Sequence, residues 1–433
     1  MLIVNKDVYK DIEEIIYKKK LNNGLTVLLL PKEEMSKTYS LFTTKYGSID
    51  QTFIPFNQDE KVTVPDGIAH FLEHKLFEKE DRDVFSDFGK LGAAANAYTS
   101  FTKTAYLFSA TANIEKNVEI LLDFVQDPYF SEQSVEKEKG IITQEIKMYN
   151  DQPDWQSFMG IIKSMFKDHP VKSDIAGTVD SIQKITKDDL YMCYETFYHP
   201  ENMTLFIAGN FNVDSMMELI ENNQTKKTFP TLGEIKRFFP DEQKEVAIKE
   251  QTVVMPVSIP KVSIGIKESN KKMDPNVHLK KDLFQSMFLD YYFSTGGPFY
   301  QTLYEENLID DSFEFSTSLE ESFGYSMIAS NTQDPILLSN RVKELLLSTR
   351  EAAFSKERFD MIKKKKIGQM LRSMNSLEFI ANQYTHYDML GIDFFQLIPT
   401  IQSLTLDEAN NFIKNWIDKQ RLAVFTILPE QEV

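Results

Sequence analysis

The chain has 433 residues, enough for two or three domains of roughly 100–200 residues each, so a small module held together only by cross-links is excluded. Apolar residues make up 42% and charged residues 26%, the balance of a folding globular protein and not of a disordered or fibrous one. Lys and Arg number 48 against 65 Asp and Glu, a net charge of −17, which would repel nucleic acid and anionic membrane surfaces.

The first segment, Met1 to Asp7, has neither a basic n-region nor an apolar h-region, and the aliphatic run Leu25 to Leu30 falls far short of the ~20 residues of a membrane span. Gly24–Leu30 and Tyr39–Tyr46 read as two strands bounded by turn residues. A turn-rich insertion from Gln51 to Pro65 follows, and Asp66 reads as the N-cap of a helix starting at Gly67. A strand from Thr102 to Phe108 precedes a helix from Asn113 to Gln126, whose Ile114, Val118, Leu121, Leu122 and Val125 recur at helical spacing. Ser131–Asn150 reads as another helix, charged on one side. Cys193 is the single cysteine, which excludes an intrachain disulfide and points to a cytoplasmic protein. The thiol itself reads as a small buried hydrophobe and not as a nucleophile.

An internal repeat organises the rest. Ile185–Leu190, a helix and the strand Met203–Ala208 have a counterpart in Leu404–Ala409, a helix and Leu422–Ile427, all at one common offset of 219 residues. The chain therefore reads as two copies of one α+β unit, each an antiparallel-rich sheet covered by helices. The polar stretch 223–249 is the expected linker, separating an N-terminal domain at 1–222 from a C-terminal domain at 250–433.

Chemistry concentrates in His70-Phe-Leu-Glu73-His74. At 3.6 residues per turn the two histidines project in nearly the same direction, and Glu73 lies about 100° from His74 and about 60° from His70. One cation could touch both imidazoles while the Glu73 carboxylate reaches an adjacent water, which is what a zinc hydrolase needs. With six histidines in the chain, such an H-x-x-[DE]-H pattern is expected by chance only ~0.01 times. In the Ser131–Asn150 helix, Glu138 and Glu145 stand two turns apart on one face, and either could be the third ligand. Gly140 between them costs a helix ~1 kcal/mol relative to Ala, which suggests that another element packs closely there. His169, His199, His278 and His386 have no partner at ligand spacing and read as surface or capping residues; Lys363–Lys366 reads as a solvated helix face.

H-x-x-E-H followed some seventy residues later by an E-x6-E helix resembles the inverzincin metallopeptidases of the pitrilysin, insulinase and mitochondrial-processing-peptidase family. Leu21–Leu25, Gly67–His74, Asn96–Thr99, Ile175–Thr178 and Tyr198–Asn202 agree with it, so the resemblance spans nearly the whole chain, and it is nearest to the half-length, two-domain bacterial subgroup of YmfH-type proteins. It implies a mitochondrial-processing-peptidase/LuxS-like duplication, one Zn2+ per chain held by His70, His74 and Glu145, Glu73 as general base and Glu138 as a supporting carboxylate. It further implies that a peptide substrate pairs with the strand at Asn96, Ala97 and Tyr98 inside a closed chamber between two halves, by β-augmentation.

The second half departs from that pattern. The family often carries an Arg, and a Tyr shortly after, opposite the zinc; here Tyr304 replaces the Arg, and Asp310 or Asp311 stands in place of the Tyr. The positions mirroring His70 and Glu145 hold no ligands either. The expected activity is a zinc-dependent endopeptidase or oligopeptidase acting on short or unstructured peptides. Its expected partner is a related subunit that supplies Arg and Tyr in a heterodimer, with a homodimer as the rival arrangement. Two other classes compete: a non-catalytic peptide-binding or scaffold subunit, and a different zinc enzyme resembling the small S-ribosylhomocysteine lyases. Chain length and the Glu145 helix disfavour the second.

Overall fold

The computed structural model describes residues 5–10, 12–231, 233–268, 272–350 and 354–430. Residues 1–4, which carry part of the reading against a leader, lie outside them. Among the described residues no helix is long and apolar enough to cross a membrane.

Two compact units form. The first takes the chain up to Ile146, Ser173–Phe238 and Ser373–Met389; the second takes Lys147–Lys172, Phe239–Arg372 and the chain from Leu390. The first contains a seven-stranded sheet in the order Asn5–Tyr9, Glu14–Lys20, Thr26–Pro31, Met203–Gly209, Thr38–Thr44, Thr104–Ala110, Ala94–Thr99. Only the pairing of Thr26–Pro31 with Met203–Gly209 is parallel. Thr38–Thr44 and Met203–Gly209 are buried at every position, as expected for central strands covered on both faces.

The second unit holds a five-stranded sheet: Glu250–Met255, Leu422–Pro429, Lys261–Glu268, Gly324–Asn331, Glu314–Leu319. Its first pair is parallel and the remaining three are antiparallel. The last five strands of the first sheet have the same order and the same directions, so the duplication legible in the sequence extends to sheet topology. Thr186 and Thr405 each form a capping box, opening the helices Lys187–Phe197 and Leu406–Trp416. The class is α+β, as expected.

The units differ from the contiguous division at 222 and 250 through two exchanged helices. Leu377–Met389, from the C-terminal part of the sequence, packs on Thr38–Thr44 and Met203–Gly209 in the first unit. Pro153–Met165, from the N-terminal part, packs on Leu422–Pro429 and Lys261–Glu268 in the second. This second helix lies so close to its sheet that a Cβ on Gly160 would come within 2.3 Å of the Phe425 ring. The expected linker also divides: Arg237 bridges to Phe53 and ion-pairs with Asp50 in the first unit, while the rest of the linker, from Phe239, belongs to the second.

Several side chains depart from expectation. His169, His199 and His278 are buried rather than on the surface. His199 caps the turn at Pro200–Asn202 through the amide of Glu201, and His278 Nε2 bonds the carbonyl of Leu319. The lysine run is not a solvated face: Lys363 donates to the carbonyls of Gln402 and Leu404, and Lys365 and Lys366 pair with buried Asp290 at 2.8 and 2.5 Å. Cys193 is fully buried, and burial pushes its thiol up to about 12, in keeping with a packing role.

Candidate metal centre

All residues of the centre belong to the first unit. The helix Ile68–Leu76 carries His70, Glu73 and His74, and seats Ile68, Ala69, Phe71, Leu72 and Leu76 in the core. Asp66 is not its N-cap. The cap is Gly67 at φ +87°, with no side-chain cap bond, a left-handed conformation that favours glycine. A Cβ there would lie 2.4 Å from the carbonyl oxygen of Ala176, and one on Gly177 would lie 2.5 Å from that of Asp66. Ser181 Oγ donates to the same Asp66 carbonyl at 2.9 Å. The start of the helix is thus fixed by close backbone crossing with the Ile175–Thr178 turn, which explains that stretch and leaves no room for a conventional cap.

The helix Glu132–Asn150 supplies the carboxylates. Glu145 approaches both histidines, with Oε1 at 3.7 Å from His70 Nε2 and Oε2 at 3.5 Å from His74 Nε2. Glu138 instead meets the far side of the second ring, its Oε1 lying 3.0 Å from His74 Nδ1. A carboxylate can only accept, so Nδ1 of His74 donates, and the lone pair of the neutral ring is left on Nε2, facing Glu145.

One ligand atom from each of His70, His74 and Glu145 falls within a mutual 4.8 Å. Zinc bonds of ~2.0–2.2 Å in a tetrahedron place ligand atoms roughly 3.4 Å apart, close to the 3.5 and 3.7 Å separations found here. Two imidazoles and a carboxylate also form the donor set of a catalytic zinc site with one position to spare. His70 Nδ1 is buried without a hydrogen-bond partner among the described residues. Burial, and then the neighbouring His74, push the His70 imidazolium down to about 3, so that ring is neutral and can donate a lone pair. Burial also disfavours charge on His74, but the Glu138 bond and the charges of Glu73, Glu145 and Glu138 together outweigh it and raise its pKa.

Glu73 lies outside this ligand cluster. Its Oε2 accepts a 2.6 Å hydrogen bond from Thr99 Oγ1, and burial raises its pKa against the lowering effects of Thr99 and His74. Thr99 ends the strand Ala94–Thr99, which pairs on one side with Thr104–Ala110 and is the last strand of its sheet. In that strand the Ala97 amide donates to the Asn96 side chain at 2.9 Å, and the Tyr98 hydroxyl donates to Asn382 Oδ1.

Thr99 and Asn382 are additions to the expected residues. Strand alternation could have flagged Thr99, since it faces away from Tyr98; nothing in the sequence connects Asn382 to Tyr98. Gly140 needs a correction: a Cβ there would meet nothing within 4 Å, so no element packs closely against it. Gly140→Ala should therefore raise stability by about 0.5–1 kcal/mol through helix propensity alone, read as a higher urea midpoint at an unchanged m-value.

The second unit has no comparable cluster among its described residues. Near the positions mirroring His70 and Glu145 it places Asp290 and the Lys365 and Lys366 ammonium groups.

Comparison with known proteins agrees with this asymmetry. Residues 62–179 match the family described as insulinase, peptidase family M16, and residues 184–366 match the peptidase M16 inactive domain. A Bacillus subtilis protein described as an uncharacterized zinc protease, YmfH, is 48% identical over 422 residues, 98% of each chain. The probable β subunit of the mitochondrial processing peptidase of Arabidopsis thaliana is 28% identical over 41% of this chain and 33% of its own. Among solved structures, an M16-like peptidase from Alicyclobacillus acidocaldarius superposes with a TM-score of 0.93 at 39% identity, covering 96% of this chain and 99% of that one. A Helicobacter pylori protease shares the fold at 17% identity and a TM-score of 0.78, over 99% of this chain and all of that one. Sequence and fold agree along nearly the whole chain, which belongs to the insulinase family of peptidases, M16.

Proposed function

We propose that this chain is a zinc-dependent endopeptidase or oligopeptidase that hydrolyses short or unstructured peptides in a closed chamber, with one Zn2+ held by His70, His74 and Glu145. The observation that carries the reading is the convergence of those three side chains within 4.8 Å, beside a separate buried carboxylate at Glu73 and a sheet edge ending at Thr99. Zinc, when bound, would lower the pKa of a coordinated water towards ~7 and polarise a carbonyl.

The chain's own residues do the rest. The strand Ala94–Thr99 offers Asn96, Ala97 and Tyr98 as an edge on which an extended peptide adds by backbone hydrogen bonds, with little demand on its sequence. A substrate carbonyl would replace Asn96 Oδ1 at the Ala97 amide. Glu73 takes a proton from the attacking water as the new C–O bond forms, then passes it to the amide nitrogen as the C–N bond breaks, so that a free carboxyl and a free amine leave. Glu138 keeps His74 in the tautomer that presents Nε2, a supporting role of the kind that commonly changes metal affinity or rate by 10–100-fold.

The two glutamates separate in a metal-content assay. Glu145→Ala should lose zinc by elemental analysis together with peptide cleavage, because it removes a ligand. Glu138→Ala should keep zinc at saturating metal and lose rate. Exchange of the two phenotypes would reverse their roles. Cleavage of a mixed peptide library by the zinc-loaded chain, assayed alone and with products of neighbouring genes, tests the activity itself. Bound zinc without cleavage in either assay would favour the peptide-binding subunit.

A further inference from the structure

Successive residues of a strand point to opposite faces of its sheet, and at the end of Ala94–Thr99 both faces are engaged by adjacent residues. On one face the Thr99 hydroxyl donates to Glu73 Oε2 at 2.6 Å. On the other the Tyr98 hydroxyl donates to the side-chain oxygen of Asn382 in the helix Leu377–Met389. Asn382 is itself held in place: its Nδ2 donates to the Glu378 carbonyl at 2.9 Å and lies 3.4 Å from the Tyr39 hydroxyl on a central strand. Its own carbonyl accepts from Lys103 Nζ at 3.3 Å, just beyond the turn that ends the edge strand. Nearly 300 residues after Tyr98, the chain thus returns to brace the edge on the face opposite the histidines.

Resting on the peptidase reading above, we propose that Thr99 and Asn382 are positioning residues which lock the general base and the peptide-binding edge into one register. Thr99 fixes one oxygen of Glu73 and leaves the other to exchange the proton; Asn382 fixes the strand through Tyr98. The physical argument is one of reach. Glu73 has three side-chain torsions, and a misplacement of about 1 Å at a reacting group costs up to ~10²-fold in rate. The Thr99 bond ties the carboxylate to the same backbone that would hold the scissile peptide, so base and substrate move together. An edge strand has backbone partners on one side only and frays more readily than a central strand. The Tyr98–Asn382 bond offsets that on the face away from the chemistry.

The two roles predict different kinetic signatures. In the zinc-loaded full chain, Thr99→Val should lower kcat by ~10–10²-fold with KM within about twofold, and Thr99→Ser, which restores the hydroxyl, should recover most of the loss. Asn382→Ala should instead raise KM several-fold with kcat little changed, and should speed amide hydrogen exchange across residues 94–99. Tyr98→Phe should speed exchange in the same direction, and adding it to Asn382→Ala should add nothing further, since the Tyr98–Asn382 bond is already gone. Zinc content should equal wild type in every variant, which excludes collapse of the site. A Thr99→Ser variant as impaired as Thr99→Val, or unchanged exchange in Asn382→Ala, overturns the inference while wild-type cleavage leaves the peptidase reading standing. A wild-type chain that cleaves no peptide, alone or with products of neighbouring genes, overturns both.

Discussion

Glu73→Gln should abolish peptide cleavage, with kcat/KM falling by ~10³-fold or more, while the protein keeps its zinc. General-base catalysis alone contributes ~10²–10⁴-fold, and the two other carboxylates of the centre are already engaged. Glu145 sits between the two histidines and Glu138 is bonded to His74 Nδ1. The substitution suits the test because it is nearly isosteric. A glutamine oxygen can still accept from the Thr99 hydroxyl that now bonds Glu73, so the side chain keeps its place and loses only its basicity. Zinc should stay because the cluster of ligand atoms comprises His70, His74 and Glu145, without Glu73. Folding should be unharmed or slightly favoured, since an amide replaces a carboxylate whose charged form burial disfavours. The measurements are elemental analysis, a thermal midpoint and single-turnover hydrolysis. Turnover retained in a zinc-loaded variant would assign the proton to another group.

The parts of this site that were legible in the sequence are the parts built from local geometry. His70, Glu73 and His74 share little more than one helical turn, and Glu138 and Glu145 share one face of another helix, so 3.6-residue periodicity was enough to group them. Spacing could not say which carboxylate meets which ring nitrogen, because that depends on how far one helix slides along the other. The structure answers it, with Glu145 at both Nε2 atoms and Glu138 at the single Nδ1.

The misreadings follow the same logic. Asp66 has the chemistry of a cap, but its carbonyl is taken by Ser181 and the following residue is forced into a left-handed conformation by a turn more than a hundred residues away. Gly140 invited a packing explanation that the structure denies. The lysine run had the charge pattern of a solvated face, and only the tertiary fold brings Asp290 to Lys365 and Lys366.

Helix exchange was the least legible feature. The sequences of Pro153–Met165 and Leu377–Met389 show a helix with a buried side, but no local pattern records which sheet will cover that side. The offset of 219 residues revealed the two copies and correctly paired their strands. It also favoured a cut through the middle of the chain, since contiguous copies are the simplest account of a repeat. Asn382 shows the functional consequence, as it comes from the second copy in sequence and braces a strand of the first unit.

Adding a related subunit should raise kcat/KM of the zinc-loaded chain by ~10²–10³-fold, the usual worth of donors aimed at a developing oxyanion. The resemblance noted in the sequence expects an Arg in the segment Gly296–Glu306 and, shortly after it, a Tyr. Here Tyr304 is largely exposed and stacks in parallel with Tyr300 at 6.1 Å, leaving a neutral phenol where a guanidinium would bring charge. Asp310 is committed locally: its Oδ1 accepts from the amide and the hydroxyl of Ser312, shaping the turn before the strand Glu314–Leu319. Asp311 adds a second carboxylate to this stretch, and a carboxylate set beside a growing negative charge would oppose the transition state. A partner whose own second half keeps Arg and Tyr would restore those donors, and mutating either of its two residues should then remove the gain. In a homodimer the same surface would be repeated and the deficit would remain, unless Tyr300 or Tyr304 donates, in which case Tyr304→Phe should lower the rate of the isolated chain. The competing outcome is direct: an isolated, zinc-loaded chain that already cleaves unstructured peptides at ~10⁴ M⁻¹s⁻¹ or better, the ordinary enzymatic range, has no need of the partner.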